Sequence, residues 1–180
     1  PASLPFRYHA DMLRLRLLKD HGGVWADATV YCHRPLADWI PLHLMSGFFL
    51  LRNPGPGRLM SSWFMAGQPR HILPVLWEDS FRRYVRGLRH VPDLYFVFFY
   101  LFQWQLRRDL QAKAAFDQMA GLPAIPSFAM MEALSGRLDA PHLSALVAAG
   151  LPVSKLSWKE IVDEDAFDGF CALIPCIKRV

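Results

Sequence analysis

The chain has 180 residues, of which 53% are hydrophobic and 13% aromatic. This composition excludes a disordered protein and supports one folded domain. The longest apolar run, residues 94–102, is about half of the ~20 residues that a membrane-spanning helix needs. The formal net charge of +4 favours anionic partners such as phosphates or acidic lipids.

The first predicted element is a helix over residues 8–21, which ends at a pair of glycines. At about 100° per residue, Asp11 and Arg14 fall on the apolar side of this helix. That side holds Leu13, Leu15, Leu17 and Leu18, and the solvent side holds Arg16, Lys19 and Asp20. Charges are rarely buried unless they are paired or functional. Two interpretations stay open: an internal ion pair between positions i and i+3, or a polar pair at the edge of a ligand cleft.

Residues 23–31, GVWADATVY, predict a strand that is interrupted at Asp27. Open α/β sheets bind ligands beyond the carboxyl ends of their strands. An aspartate there can hold a sugar hydroxyl or a divalent cation, and the cation would neutralise a diphosphate leaving group. Taken alone, an aspartate after a strand is also a common turn residue.

The remaining predicted elements are short strands followed by helices. Strands are expected over residues 46–52, 63–66 and 153–156, and helices over 71–89, 93–119 with a break near Asp109, 128–137 and 140–149. Strands early and helices late predict a mixed α/β domain.

The segment over residues 81–90 is two-faced if it is helical. Its apolar side holds Phe81, Tyr84, Val85 and Leu88, and its basic side holds Arg82, Arg86 and Arg89. The arginines are either simply solvated or contact an anionic membrane surface where a lipid-linked acceptor resides. No recognition motif accompanies them, so a nucleic-acid partner is not expected.

Three cysteines, Cys32, Cys171 and Cys176, are too few and too scattered for a disulfide framework. They are predicted to be small buried thiols in a reducing cytoplasm.

The string ADMLRLRLLKDHGGVWADATV, residues 10–30, resembles the sugar-binding region of the capsular polysaccharide synthesis proteins, relatives of the retaining DXD-sugar-binding glycosyltransferases. The family pattern reads approximately SDxLRxxLLxxyGGxWxDxTv. The positions in register are Asp11, Arg14, Leu17, Leu18, Gly22, Gly23, Trp25, Asp27 and Thr29. Segments 61–76, 93–106 and 152–159 are also similar to the family, so the resemblance covers nearly the whole chain.

This resemblance implies a GT-A fold, a Rossmann-type mixed sheet flanked by helices. Residues 1–180 would be a single glycosyltransferase catalytic domain, a fragment of a longer chain without its N-terminal strand and helix. The implied reaction is transfer of a hexose, with retention, from a nucleotide-diphosphate sugar to a glycan or lipid-linked glycan acceptor. The implied setting is the cytoplasm, at the inner face of the membrane, during surface polysaccharide synthesis.

The resemblance also implies the residues of a site. The nucleotide sugar would contact Asp11, Arg14, Gly22, Gly23, Asp27 and Thr29. Asp27 and Arg14 would be catalytic, and Asp27 would be the first acidic member of the DXD-like motif and a metal ligand. From the residues themselves, Ser62 and Trp63 are candidates for acceptor binding, because hydroxyls and an aromatic face suit sugars, although burial of Trp63 is an equally open alternative.

Three departures, one from the DXD pattern and two from the family's histidines, bear on metal binding. Thr29 stands at the second acidic position of the DXD pattern, as is common in this family, and Phe99 and Phe128 stand where relatives have histidines. The family implies a divalent cation, manganese or magnesium. These departures weaken that expectation, because they remove possible metal ligands. The two lost histidines also motivate an alternative function, a catalytically degenerate glycosyltransferase-like module that binds sugars or partners.

Overall fold

A computed structural model describes residues 4–157, residue 159, residues 167 and 168, and residue 172. Its elements are α1 (Phe6–His21), β1 (Gly23–Ala26), β2 (Val30–Cys32), α2 (Ile40–His43), β3 (Phe48–Gly55), β4 (Arg58–Gly67), α3 (Ile72–Arg86), α4 (Val97–Arg108), α5 (Leu110–Gln118), α6 (Ala129–Leu134), α7 (Ala140–Ala148) and β5 (Val153–Lys155). Short 3-10 helices cover Leu36–Asp38 and Ile125–Phe128. The predicted mixed α/β class is confirmed.

The larger sheet has the strand order β1-β4-β3, and its strands β3 and β4 are buried on both faces. Side chains alternate between the two faces of a strand, and β3 shows this directly. Phe48 and Leu50 pack with α1, α3, α4 and α5 in one core. Phe49 and Leu51 pack on the other side with Trp39 and its neighbours. Burial on both faces explains why β3 reads as a continuous apolar run rather than an alternating pattern.

The expected Rossmann-type mixed sheet is not what the described residues form. Both sheets are antiparallel in every strand pair, and one isolated bridge from Arg52 to Pro123 is parallel. For β3 and β4 the reason is the length of the connection. β3 and β4 are joined by residues 56 and 57 alone, whereas parallel neighbours need a crossover of about a dozen residues or more.

The strand predicted over residues 23–31 is two strands in two different sheets. β1 pairs with β4 in the larger sheet, whereas β2 pairs with β5 in a separate two-stranded sheet. The chain changes sheet over residues 27–29, so the predicted interruption at Asp27 is correct. This places Asp27 and Thr29 between the two sheets.

The first helix buries a narrower stripe than its leucine content predicts. Leu15 and Leu18 are buried with Tyr8, but Leu13 is 51% and Leu17 41% exposed. The prediction that all four leucines face the core is therefore wrong for two of them. Tyr8, Leu15 and Leu18 are spaced by seven and three residues, which keeps them on one side of a 3.6-residue helix.

The helical half of the chain agrees with the prediction except at some ends. The break near Asp109 is confirmed, because its carboxylate accepts a hydrogen bond from the Ala112 N–H at 2.9 Å and caps α5. The core around α4 is aromatic: the Trp77 ring stacks on those of Phe98 and Phe102 at centroid distances of 4.4 and 4.3 Å. α3 ends at Arg86, three residues before the predicted end.

The prediction of buried cysteines is wrong for Cys32, which is exposed at the end of β2. Cys171 and Cys176 lie outside the described residues.

Candidate functional site

The connection between α1 and β1 places three of the predicted site residues side by side. The helix advances about 10 Å from Arg14 to its end at 1.5 Å per residue. The chain then turns at Gly22, and residues 23–27 return by about 13 Å at the ~3.3 Å per residue of a strand. The two distances match, so Asp27 arrives beside Arg14, one helical turn from Asp11. The spacing of the motif therefore has a geometric cause.

The two glycines serve this reversal in different ways. Gly22 has φ of 68°, and a Cβ added to it would lie 2.7 Å from the Gly67 carbonyl oxygen and from the Pro69 ring. Gly23 has φ of 88°, and an added Cβ would meet nothing within 4 Å. A side chain at Gly22 would clash with its neighbours and would be strained by the positive φ. A side chain at Gly23 would be strained by the positive φ alone. Their predicted contact with the nucleotide sugar stays a prediction.

Arg14 is the centre of the site and is almost fully buried, with 10% of its side chain exposed. Its Nη1 donates to the Ser62 carbonyl oxygen at 3.0 Å and to the Ser62 Oγ at 2.6 Å. The same nitrogen lies 3.6 Å from Asp11 Oδ1, and Nη2 lies 3.5 Å from Asp27 Oδ1. Nε donates to the Ala10 carbonyl oxygen at 3.4 Å. The guanidinium therefore has a partner at each nitrogen.

Asp27 is held by three groups of different character. The indole N–H of Trp25 donates to its Oδ1 at 2.9 Å, and the Arg14 guanidinium lies near the same oxygen. The Lys155 ammonium lies 3.6 Å from Oδ2 and donates a hydrogen bond to the Thr29 hydroxyl. The Trp25 ring also lies under the Arg14 guanidinium, with its centroid 5.3 Å away. The structure thus joins the predicted DXD-like residues to a lysine that follows Thr29 by 126 positions.

Lys155 is the site residue that the sequence analysis did not identify. It reaches the site because β5 pairs with β2, with Lys155 opposite Val30, and the Leu156 N–H donates to the Thr29 carbonyl oxygen at 2.8 Å. The only available signal was the similarity of segment 152–159 to the family. No local pattern links that segment to Asp27.

Burial shifts the pKa values of Asp11 and Lys155. Burial raises the pKa of Asp11 to about 6; Arg14 opposes this shift and Asp27 reinforces it. Burial lowers the pKa of Lys155, and the neighbouring Asp27 opposes that shift. The cluster therefore gains positive charge when Asp11 is protonated, which favours an anionic ligand.

The raised pKa of Asp11 predicts a pH-dependent stability. The folded pKa of about 6 lies above the ordinary value of 3.8, so the folded state binds the proton more tightly. This contribution to stability is complete below the unfolded pKa and is lost as the pH rises through about 6. Asp11→Asn cannot ionise, so its advantage in unfolding free energy over the wild type should grow by about 2 kcal/mol between pH ~4.5 and ~8. Urea unfolding across this range measures the difference. A difference that stays constant would contradict the raised pKa.

The two predicted acceptor residues have different environments. Ser62 belongs to the cluster through its bonds to Arg14. Trp63 is 8% exposed and packs in the core on the other side of the sheet, against Phe64 and Phe128. Its side chain offers no open face for a sugar, and the predicted acceptor contact stays untested.

The positions where relatives have histidines are filled by packed aromatic rings. The Phe99 ring lies 6.2 Å from that of Trp77 and 5.4 Å from that of Phe98, between centroids. The Phe128 ring lies 6.2 Å from that of Trp63. Neither side chain has an atom that could bind a metal or donate to a phosphate.

The described residues do not form a ligand set for the implied divalent cation. Within them, no group of three or more histidine, cysteine, aspartate or glutamate side chains lies close enough to hold a metal ion. Asp27 has one neighbouring carboxylate, Asp11, and the Arg14 guanidinium contacts both. Magnesium, calcium and manganese prefer several oxygen ligands. One carboxylate whose two oxygens face an arginine and a lysine does not supply them.

One comparison with known proteins found a match. The model of a family described as "Capsular polysaccharide synthesis protein" matches residues 3–171. No curated protein and no solved structure shows significant similarity to the chain. Among the helices that the structure describes, none is long and apolar enough to cross a membrane.

Proposed function

Since the chain belongs to the capsular polysaccharide synthesis protein family, we propose that it is a glycosyltransferase that moves a hexose from a nucleotide-diphosphate sugar to a glycan acceptor. A role in capsular polysaccharide synthesis follows from the family. The transferase activity, the retained configuration, the single catalytic domain and the relationship to GT-A enzymes are parts of the proposal.

The observation that carries the proposal is the convergence of two cations and two carboxylates from distant segments. Arg14 and Lys155 flank Asp27 at 3.5 and 3.6 Å, and Asp11 adjoins Arg14. About a quarter of the Asp27 side chain is exposed (27%), as is 22% of that of Lys155. Charged groups that are partly buried yet open to solvent are typical of a site that binds a charged ligand.

The chemistry of transfer needs what such a site supplies. The bond between the anomeric carbon and the phosphate oxygen breaks, and its electron pair leaves on the diphosphate. The acceptor oxygen forms the new bond to that carbon, and the leaving phosphate takes the proton of the acceptor hydroxyl. Cations fixed near the diphosphate stabilise the charge that develops there. Asp27 orients the donor, and no protein nucleophile is assigned.

A screen of nucleotide sugars on the whole protein tests the function. A ligand that binds only the folded state raises the melting temperature by mass action. We expect one nucleotide sugar to do so and to release its nucleoside diphosphate when a glycan acceptor is added. If no nucleotide sugar raises the melting temperature or is consumed, the proposal fails.

The alternative function is a glycosyltransferase-like module that binds sugars or partners without catalysis. The packed rings of Phe99 and Phe128 favour it, because they replace histidines that could bind a metal or a phosphate. The two functions differ in turnover. A binding module retains affinity for the nucleotide sugar but releases no nucleoside diphosphate.

We also propose that the protein acts in the cytoplasm, with the arginines at and just beyond the end of α3 against an anionic inner membrane surface that carries a lipid-linked acceptor. Arg82 is the weakest part of this surface, because it pairs with Glu78 at 3.6 Å and with Asp79 at 2.9 Å. Arg86 and Arg89 are exposed, and the ion pairs of the described residues do not include them.

Reversal of these two charges tests the membrane contact. Arg86→Glu with Arg89→Glu should release the protein from phosphatidylserine-containing vesicles at low salt, because each basic residue near such a surface contributes about 1 kcal/mol. Sedimentation with the vesicles measures binding. The control, Arg107→Glu with Lys113→Glu, makes the same charge change on α4 and α5 and should still bind. Equal sedimentation of all three proteins, or none for the wild type, would reject the contact.

A further inference from the structure

The two cations of the site differ in how accessible they are to a ligand. Each nitrogen of Arg14 has a partner within the chain, and the guanidinium is almost fully buried. An ammonium has three N–H groups. Lys155 donates one hydrogen bond, to Thr29, and faces Asp27. Nη2 of Arg14 is turned to Asp27 at 3.5 Å, whereas the side chain of Lys155 is twice as exposed as that of Arg14, at 22% against 10%. Lys155 is therefore the cation that a ligand arriving from solvent reaches.

Lys155 also contacts the oxygens that a metal ion at the motif would use. The DXD-like motif offers the Asp27 carboxylate and the Thr29 hydroxyl, and the ammonium contacts both. A divalent cation would bind a carboxylate oxygen at about 2.0–2.6 Å. With the ammonium 3.6 Å from Asp27 Oδ2, that cation would be forced next to another positive charge. The space beside Asp27 and Thr29 suits one positive group, and the Lys155 ammonium already occupies it.

We propose that Lys155 neutralises the donor diphosphate in the place of a divalent cation, and that Asp27 and Thr29 position its ammonium. This inference rests on the proposed function. In the transfer step the bond from the anomeric carbon to phosphate breaks and the diphosphate gains the electron pair. Lys155 keeps its proton and binds the departing oxygens through charge-assisted hydrogen bonds. Asp27 has a second effect in this arrangement, because its charge counters the lowering of the Lys155 pKa by burial.

The roles of the neighbouring residues follow from this assignment. Arg14 is a positioning residue, because it ties Asp27 to α1 and to β4 through Ser62. Thr29 is explained as well: a hydroxyl at this position accepts a hydrogen bond from the lysine, whereas a second carboxylate would add a charge that one ammonium does not balance. The departure from the DXD pattern and the lysine on β5 thus belong together.

The experiment compares nucleoside diphosphate binding with and without metal. Uridine, guanosine and adenosine diphosphates and inorganic pyrophosphate are titrated into the whole protein by calorimetry, in EDTA and in manganese. We expect the wild type to bind at least one of these probes in EDTA, with manganese changing the affinity less than about threefold. Lys155→Met should weaken binding by about tenfold or more, the effect of one charge-assisted hydrogen bond. Lys155→Arg should restore most of it.

Lys113→Met is the matched control, because it removes the same charge from an exposed position on α5 and should bind like the wild type. Thr29→Val keeps the shape of the side chain but removes the hydroxyl that accepts from Lys155, and should weaken binding several-fold. It provides a second variant if Lys155→Met does not fold. The wild-type comparison between EDTA and manganese needs no variant at all.

Each result decides the question. Wild-type binding that requires manganese overturns the role of Lys155 and leaves the glycosyltransferase proposal standing. A folded Lys155→Met that binds in EDTA as tightly as the wild type also overturns it. If the wild type binds none of the probes in either condition and turns over no nucleotide sugar, the proposed function fails and this inference fails with it.

Discussion

Asp27→Asn is expected to reduce sugar transfer by at least about 100-fold, the order of loss seen when one preorganised electrostatic group is removed from a site. The amide keeps an oxygen for the Trp25 N–H, which now donates to Asp27 Oδ1. It removes the negative charge that lies between Arg14 and Lys155. The two cations then repel each other, and the ammonium loses the group that positions it. Turnover of the nucleotide sugar used by the wild type, per folded molecule, measures the effect.

The same variant is expected to stay folded. Asp27 is partly exposed, at 27% of its side chain, and its backbone bonds, such as that from its N–H to the Trp63 carbonyl oxygen, are unaffected. A loss of 1 kcal/mol lowers the melting temperature of a chain of this size by about 2–4 °C, and we expect no more than a few degrees. Asp117→Asn, on an exposed pair of α5, is the control for the charge. Unfolding at low temperature with unchanged turnover per folded molecule would show that Asp27 is a structural turn residue.

Arg14→Met is expected to lower the free energy of unfolding by about 3–5 kcal/mol, the usual effect of removing one partner of a buried ion pair. The methionine fills much of the same volume, but it leaves the Ser62 carbonyl and hydroxyl oxygens without their donor. It also leaves the carboxylates of Asp11 and Asp27 without the guanidinium that contacts both. Urea unfolding at neutral pH measures the loss.

Arg16→Met on the same helix separates this effect from a general effect on α1. Arg16 is 73% exposed and, among the residues that the structure describes, pairs with Asp20 alone, at 3.7 Å, so its replacement should change stability by less than about 0.5 kcal/mol. Equal stability losses in the two variants would contradict the central role of Arg14. Arg14→Lys should also be destabilised, because an ammonium cannot reproduce the planar fork of a guanidinium.

One of the two interpretations of Asp11 and Arg14 is confirmed, and the other stays a prediction. The two residues do form an i, i+3 ion pair, at 3.6 Å, as one interpretation held. Arg14 also contacts Asp27, which in turn lies next to the partly exposed Lys155; a place at the edge of a ligand cleft stays a prediction. Periodicity could place both charges on the inner side of α1. It could not show that Arg14 lies next to residues 27–29, where the chain passes from one sheet to the other.

The secondary structure was predictable where local signals are strong. The glycine pair ended α1, and Asp109 separated α4 from α5, because turn and capping chemistry acts within a few residues. The paired strands were less predictable. A sequence run such as residues 23–31 favours extended backbone, but it does not specify the partner strand of either half.

The sequence by itself determined that α1 ends at the glycine pair and that an extended segment, interrupted at Asp27, follows it. Only the tertiary structure decided that β2 pairs with β5 and that Lys155 thereby contacts Asp27 and Thr29. The physical reason is the range of the forces involved. Turn conformation and helical periodicity depend on neighbours in the chain, whereas a pairing across 126 residues depends on burial and hydrogen bonding of the whole fold.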